Sequence, residues 1–221
     1  MGPGTNSETT EIIDRRKMKR ISLIFAAIFL VLVSIFDQTN AQEKIAIGAD
    51  SIWWQALQQA SCDKALDPAI LNLAVPGSTV KSLMKRLYVK LPQDISVIII
   101  AIGINNFILL HQTPDQIAQE IWNLLVATRE RAPLANIVLQ SVLPTRVEGQ
   151  LSKDIVELNQ KLVQMANILD IDYWDIHDEF AEEDGLTGRA DLVRDRNVHL
   201  TKEGKRLLYG LLDFCLQGSL L

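Results

Sequence analysis

The run Ile95–Gly103 (ISVIIIAIG) constrains the fold more than any other stretch of this chain. β-Branched residues crowd it, which disfavours a helix, and it shows no alternation of apolar with polar positions. A strand of that kind is buried on both faces, as in a parallel sheet covered by helices on each side. Four further runs read as strands: Lys44–Gly48, Ile70–Val75 stopped by Pro76-Gly77, Asn136–Leu143 closed by Pro144, and Ile171–Ile176. Helical patterns lie between them. Residues 52–65 have helical composition, and Val80–Leu91 places Leu83, Leu87 and Leu91 at spacing four. Thr113, Pro114 and Gln116 form a cap, first-turn proline and capping box. Ser152 opens a long helix with Ile155, Leu158, Leu162, Met165 and Leu169 on one face. Thr201 caps a last helix expected to reach about Gln217. Strands alternating with helices predict an α/β doubly wound sheet of about five parallel strands. In such sheets ligands bind beyond the carboxyl ends of the strands. The residues arriving there are Asp50-Ser51, Gly77-Ser78, Asn105-Asn106, Pro144-Thr145-Arg146 and His177.

The first 41 residues read differently. Arg15, Arg16, Lys17, Lys19 and Arg20 precede an uncharged apolar run, Ile21–Phe36, followed by the polar patch Asp37–Ala41. This is the layout of a secretory signal, with cleavage expected after Ala41. The alternative is a retained membrane anchor, although sixteen residues of helix span only ~24 Å of a ~30 Å hydrocarbon core. The chain therefore divides into residues 1–41, signal or anchor, and one domain over 42–221. That domain carries 17 basic and 23 acidic residues, a net charge of −6. No basic face suggests nucleic acid as a partner, and contact with a membrane is expected only if the N-terminal segment is retained. The expected location is exported, periplasmic or secreted.

Several chemistries are absent from the residues. Neither GxGxxG nor GxxxxGK[ST] occurs, nor GxSxG, HExxH or a multi-histidine set. Cys62 and Cys215 are too far apart in sequence for a CxxC motif. The group Asp172, Asp175, His177 and Asp178 is split between the faces of a strand, so no metal or other cofactor is expected. Nucleophilic catalysis remains. Ser51 follows the first strand and opens a helix, where a serine is either a plain cap or an attacking group in a positive dipole.

The order of blocks decides between these readings, because it resembles the SGNH/GDSL hydrolase family. Gly48-Ala49-Asp50-Ser51-Ile52 resembles that family's first block. Asn72–Gly77, Gly103–Asn106 and Ser141–Pro144 are similar to the blocks that follow, and Val198-His199-Leu200-Thr201 to the last. The resemblance covers residues 44–217 and implies a three-layer, flavodoxin-like sheet. It implies a carboxylic ester hydrolase of the GDSL esterase or lipase type, acting through an acyl-enzyme on small acyl esters such as acetylated carbohydrate or short-chain lipid. Ser51 is then the nucleophile and His199 the general base, with the N–H groups of Ser51 and Gly77 and the side chain of Asn105 as oxyanion donors. His177 and His111 are the competing bases. Asn106 stands where the family usually has aspartate. The family's third triad member sits three residues before its histidine, where this chain has Arg196. Asp195 is the acceptor expected to orient His199, its extra residue absorbed as a bulge. Two other readings stay open: a degenerate relative that binds acylated glycans, and a flavodoxin-like binding domain. Of Trp53 and Trp54, at least one is expected in the core, and the other is a minority candidate for lining the acyl or sugar pocket. Cys62 and Cys215 fall on the first and last helices, neighbours in this topology, and a disulfide between them is expected.

Overall fold

The computed structural model describes residues 44–63, 67–147, 149–212 and 215. The expected signal or anchor and the expected end of the last helix lie outside them. Five parallel strands make one sheet: β1 Ile45–Ala49, β2 Ile70–Asn72, β3 Val97–Ala101, β4 Asn136–Gln140 and β5 Asp172–Trp174. Their order is β2-β1-β3-β4-β5. Ile45 pairs with Val97, and Val97 with Asn136, so the three central strands start level. Every residue of β1 and β3 is buried, as the unbroken apolar runs require.

The helices are α1 Ser51–Asp63, α2 Val80–Lys90, α3 Ile104–Leu110, α4 Pro114–Arg131, α5 Leu151–Leu169, α6 His177–Phe180 and α7 Lys202–Gly210. The chain steps from β1 out to β2, then reverses through β3, β4 and β5. Right-handed crossovers therefore put α1 on one face and α2, α4 and α5 on the other. The packing follows: α1 lies against α7, α2 against α4, and α4 against α5. The expected capping box is present, and a second that was not expected accompanies it. Thr113 and Gln116 cap α4, and Thr79 and Ser82 do the same for α2. Among the described residues no helix is long and apolar enough to cross a membrane.

Four strands stop short of the apolar runs that predict them. Beyond the strand ends Leu73, Ala74, Ile102, Val142, Leu143 and Ile176 stay buried, and the N–H groups of Leu73 and Val75 still donate to the Ile47 and Ala49 carbonyls. α3 was not expected from the residues. It starts directly after Gly103, at φ 137°, and His111 closes it at φ 51°. Trp53 is the core tryptophan at 1% exposure, its indole N–H donating to Gln140 Oε1 at 2.7 Å, while Trp54 is 38% exposed. The disulfide expectation fails: Cys62 is exposed, Cys215 is buried, and among the described residues no bond joins them.

Candidate active site

Asp50 is the first element of the site. It caps α1, its carboxylate oxygen accepting the N–H of Ile52 at 2.9 Å. Ser51 then occupies the first helical position, where its own N–H has no acceptor within the helix. The Ser51 hydroxyl is 3.0 Å from Nε2 of His199. Ser51 is 8% exposed, so the pair sits at the floor of the rim rather than on its surface.

The second and third blocks are tied together. Asn105, the second residue of α3, donates through Nδ2 to the carbonyl of Ser78 at 3.0 Å. That leaves its other amide hydrogen for a ligand. Gly77 has φ +73°, and a Cβ built on it meets no protein atom within 4 Å. Glycine is needed there for the backbone conformation, not to avoid a protein neighbour. Asn106 is fully buried. Its Oδ1 accepts the N–H of Val80 at 3.0 Å, and its Nδ2 reaches Gln112 at 2.6 Å and Glu120 at 3.1 Å. Where the family usually has a carboxylate, this chain places an amide and brings the carboxylate from α4 instead. Lys81 balances it, 2.9 Å from Glu120.

Arg86 was not anticipated from the residues. Its guanidinium donates to the carbonyl of Leu73 at 2.8 Å and to Ser78 Oγ at 2.7 Å, and it lies 3.4 Å from the carbonyl of Ala49. One side chain thus holds the exits of β1 and β2 in register. The signal was a cation set between the buried Leu83 and Leu87.

The final block differs from expectation. Asp195 does not orient His199: its carboxylate is turned to Arg146, at 3.6 Å, and its side chain is 78% exposed. Arg196, at φ +48°, turns the backbone so that the loop tip points to solvent, and no bulge forms to bring Asp195 back. Asn197 takes the place, with its Oδ1 2.7 Å from Nδ1 of His199. The same oxygen accepts the backbone N–H groups of Val198 at 2.8 Å and His199 at 3.0 Å. Two backbone donors fix which end of the amide faces inward, since an NH2 there would oppose both. Nδ1 of His199 must then carry its proton, and Nε2 presents its lone pair to the Ser51 hydroxyl. The tautomer a general base needs is set by the backbone. The Asn197 carbonyl is anchored in turn by Thr145 Oγ1 and the N–H of Arg146. Burial, and secondarily the charge of Arg194 rather than Arg196, holds the His199 pKa below its ordinary value.

The competing histidines are elsewhere. His177 is buried with Nδ1 2.9 Å from the Val142 carbonyl and Nε2 3.2 Å from that of Gly185, so its ring ties the 176–185 segment to the residues after β4. His111 is exposed at the end of α3. Of the group once weighed for a cation, Asp172 bonds Asn136 and Asp175 accepts the His177 N–H. No cluster of three such side chains suited to a metal occurs among the described residues.

The profile of the GDSL-like Lipase/Acylhydrolase family matches residues 34–207. The chain belongs to this family. Solved structures share its fold. A GDSL-like lipase from Bacteroides thetaiotaomicron is 14% identical with a TM-score of 0.68, covering 80% of this chain and 89% of its own. A carbohydrate esterase family 3 protein from Talaromyces cellulolyticus is 15% identical with a TM-score of 0.60, covering 80% and 98%. The lipase/acylhydrolase from Enterococcus faecalis is 18% identical with a TM-score of 0.53, covering 80% and 96%. No curated protein matches the chain. Membership in the GDSL family carries hydrolase activity as a class.

Proposed function

We propose that this GDSL protein is a serine esterase that hydrolyses small acyl esters through an acyl-enzyme. The observation that carries the reading is the 3.0 Å contact between Ser51 Oγ and His199 Nε2, with Nδ1 held by Asn197. His199 removes the Ser51 proton as the oxygen attacks the ester carbonyl, then returns it to the leaving alcohol. The developing oxyanion meets the first-turn N–H of Ser51, the N–H of Gly77 and the Nδ2 of Asn105. Water, deprotonated by the same imidazole, then releases the acid.

Beside the start of α1 a space lined by Asp50, Ile52, Trp53 and Gln140 holds about 20 Å³, room for a water but not for an acyl chain. Acetylated carbohydrate and short-chain lipid esters need no deeper space there. Nitrophenyl esters of graded chain length test the proposal, beside labelling of Ser51 by a fluorophosphonate and mapping of the adduct. Rates should fall as the chain lengthens, and Ser51→Ala should abolish both turnover and labelling. A folded wild-type protein that binds acetylated glycans but neither turns over esters nor labels would instead establish the degenerate binding relative.

A further inference from the structure

The edge of the sheet opposite Ser51 carries a feature that ester hydrolysis does not use. Between α2 and α4 lies a groove of about 500 Å³, walled by Met84, Tyr88, Leu124 and Ala127, with Lys85 and Arg131 at its lips. Tyr88 is 77% exposed, Val89 75% and Leu134, in the loop after α4, 94%. Leu134 apart, these residues run from the middle to the C-terminal ends of the two helices, which lead into β3 and β4. The groove therefore sits at the N-terminal edge, where the Lys44 carbonyl accepts the N–H groups of Ser96 and Val97, and Ser96 accepts that of Asn136.

Charge selects the occupant. α2 carries Lys81, Lys85, Arg86 and Lys90 and no acid, and the last turn of α4 adds Arg129 and Arg131 against Glu130. Lys81 is engaged by Glu120, Arg86 by the rim carbonyls, and Arg129 by the Ala135 carbonyl. Lys85, Lys90 and Arg131 form no ion pair among the described residues. A second copy packed here by two-fold symmetry would set these cations against themselves. An anionic lipid surface matches both features: it takes aromatic and aliphatic side chains at the interface and attracts basic ones to its headgroups. The chain also enters the domain at this edge. Seven residues, 37–43, separate Lys44 from the uncharged run Ile21–Phe36. Seven residues reach at most about 25 Å. Where that run is retained in a bilayer, the edge that bears the groove stays within reach of the lipid.

We propose that the α2–α4 face is a docking surface for an anionic bilayer, which turns the Ser51 rim toward the aqueous side. The test uses the full chain in a Cys62→Ser background, with an environment-sensitive fluorophore on Leu134→Cys or, as the control on the catalytic edge, on Leu110→Cys. Vesicles are phosphatidylcholine alone or with about one-third phosphatidylglycerol, with and without brominated acyl chains. The probe at position 134 should brighten severalfold and be quenched by bromine only in the anionic vesicles, and the probe at 110 should not respond. Lys85→Glu with Arg131→Glu should remove most of the response at 134. Equal responses at both positions, equal responses in both lipids, or a response undiminished by the charge reversals overturns the proposal. A signal at 134 that grows with protein concentration in the absence of vesicles overturns it in favour of a second copy.

Discussion

Asn197 can do for His199 only part of what a carboxylate does. It fixes the ring and its tautomer, but as a neutral group it adds no electrostatic stabilisation to the imidazolium that forms. With burial and Arg194 already lowering the His199 pKa, the base stays neutral into mildly acid solution. The acid limb of ester hydrolysis should lie below the ordinary histidine value. Asn197→Asp keeps an acceptor for all three N–H groups and sets a negative charge against the ring, so the limb should move up by about one pH unit. Asn197→Ala should cost on the order of 10²-fold in kcat. Asp195→Asn should change little, and a loss there equal to that of Asn197→Ala would return the orienting role to Asp195. If Asn105 is an oxyanion donor as proposed, Asn105→Ala should lower kcat by ~10²–10³-fold with the protein still folded. The Ser51–His199 contact was legible because nucleophilic chemistry restricts the residue type at each place. Asn197 was not, because any well-placed oxygen can accept an imidazole proton. Which oxygen is well placed depends on the left-handed turn at Arg196, which sequence spacing does not reveal.

At the scale of elements, the third-block loop is held by a cluster that spans three helices. Asn106 on α3 joins the start of α2 through Val80 and α4 through Glu120, and Gln112 completes the set at 2.7 Å from Glu120. Restoring the family's usual residue by Asn106→Asp should therefore destabilise this protein. The new carboxylate would face Glu120 where an amide donor now stands, at a cost of about 1–3 kcal/mol. Glu120→Gln in the same chain should recover most of that loss, read as a coupling energy from urea unfolding of the four proteins. Additive effects would mean that the two groups do not interact. The strands and long helices were readable from burial period and caps, as at Thr113 and in Ile95–Gly103. Their ends were not, because the apolar pattern runs on past the ladder into the rim, and α3 follows a glycine whose φ of 137° has no sequence signal beyond glycine itself.

For the whole molecule, one buried carboxylate sets how stability depends on pH. Asp50 is 3% exposed, and burial pushes its pKa up to about 7 despite the Ile52 N–H that opposes the shift. Among the described residues no cation offsets the burial, and Arg86 reaches the neighbouring Ala49 carbonyl instead. Between pH 4 and 7 the folded protein keeps a proton on Asp50 that the unfolded chain has released. Stability from this group is full below the unfolded value and is lost as pH rises through about 7. The slope is about −1.4 kcal/mol per pH unit, so the total approaches about 4 kcal/mol. Asp63 acts with the opposite sign: Arg206 holds its pKa down to about 2, and its small, solvent-screened contribution disappears only as pH falls toward that value. His199, its pKa lowered by burial, titrates inside the Asp50 window with the opposite sign, so Asp50 is read from the difference between the wild type and a variant that lacks only this carboxyl. Asn at position 50 keeps an acceptor for Ile52 and cannot ionise. In urea titrations from pH 4 to 9, Asp50→Asn should gain on the wild type steadily up to about pH 7, and the difference should then level off. A difference that stays constant across that range would mean that Asp50 ionises in the folded protein as readily as in the unfolded chain.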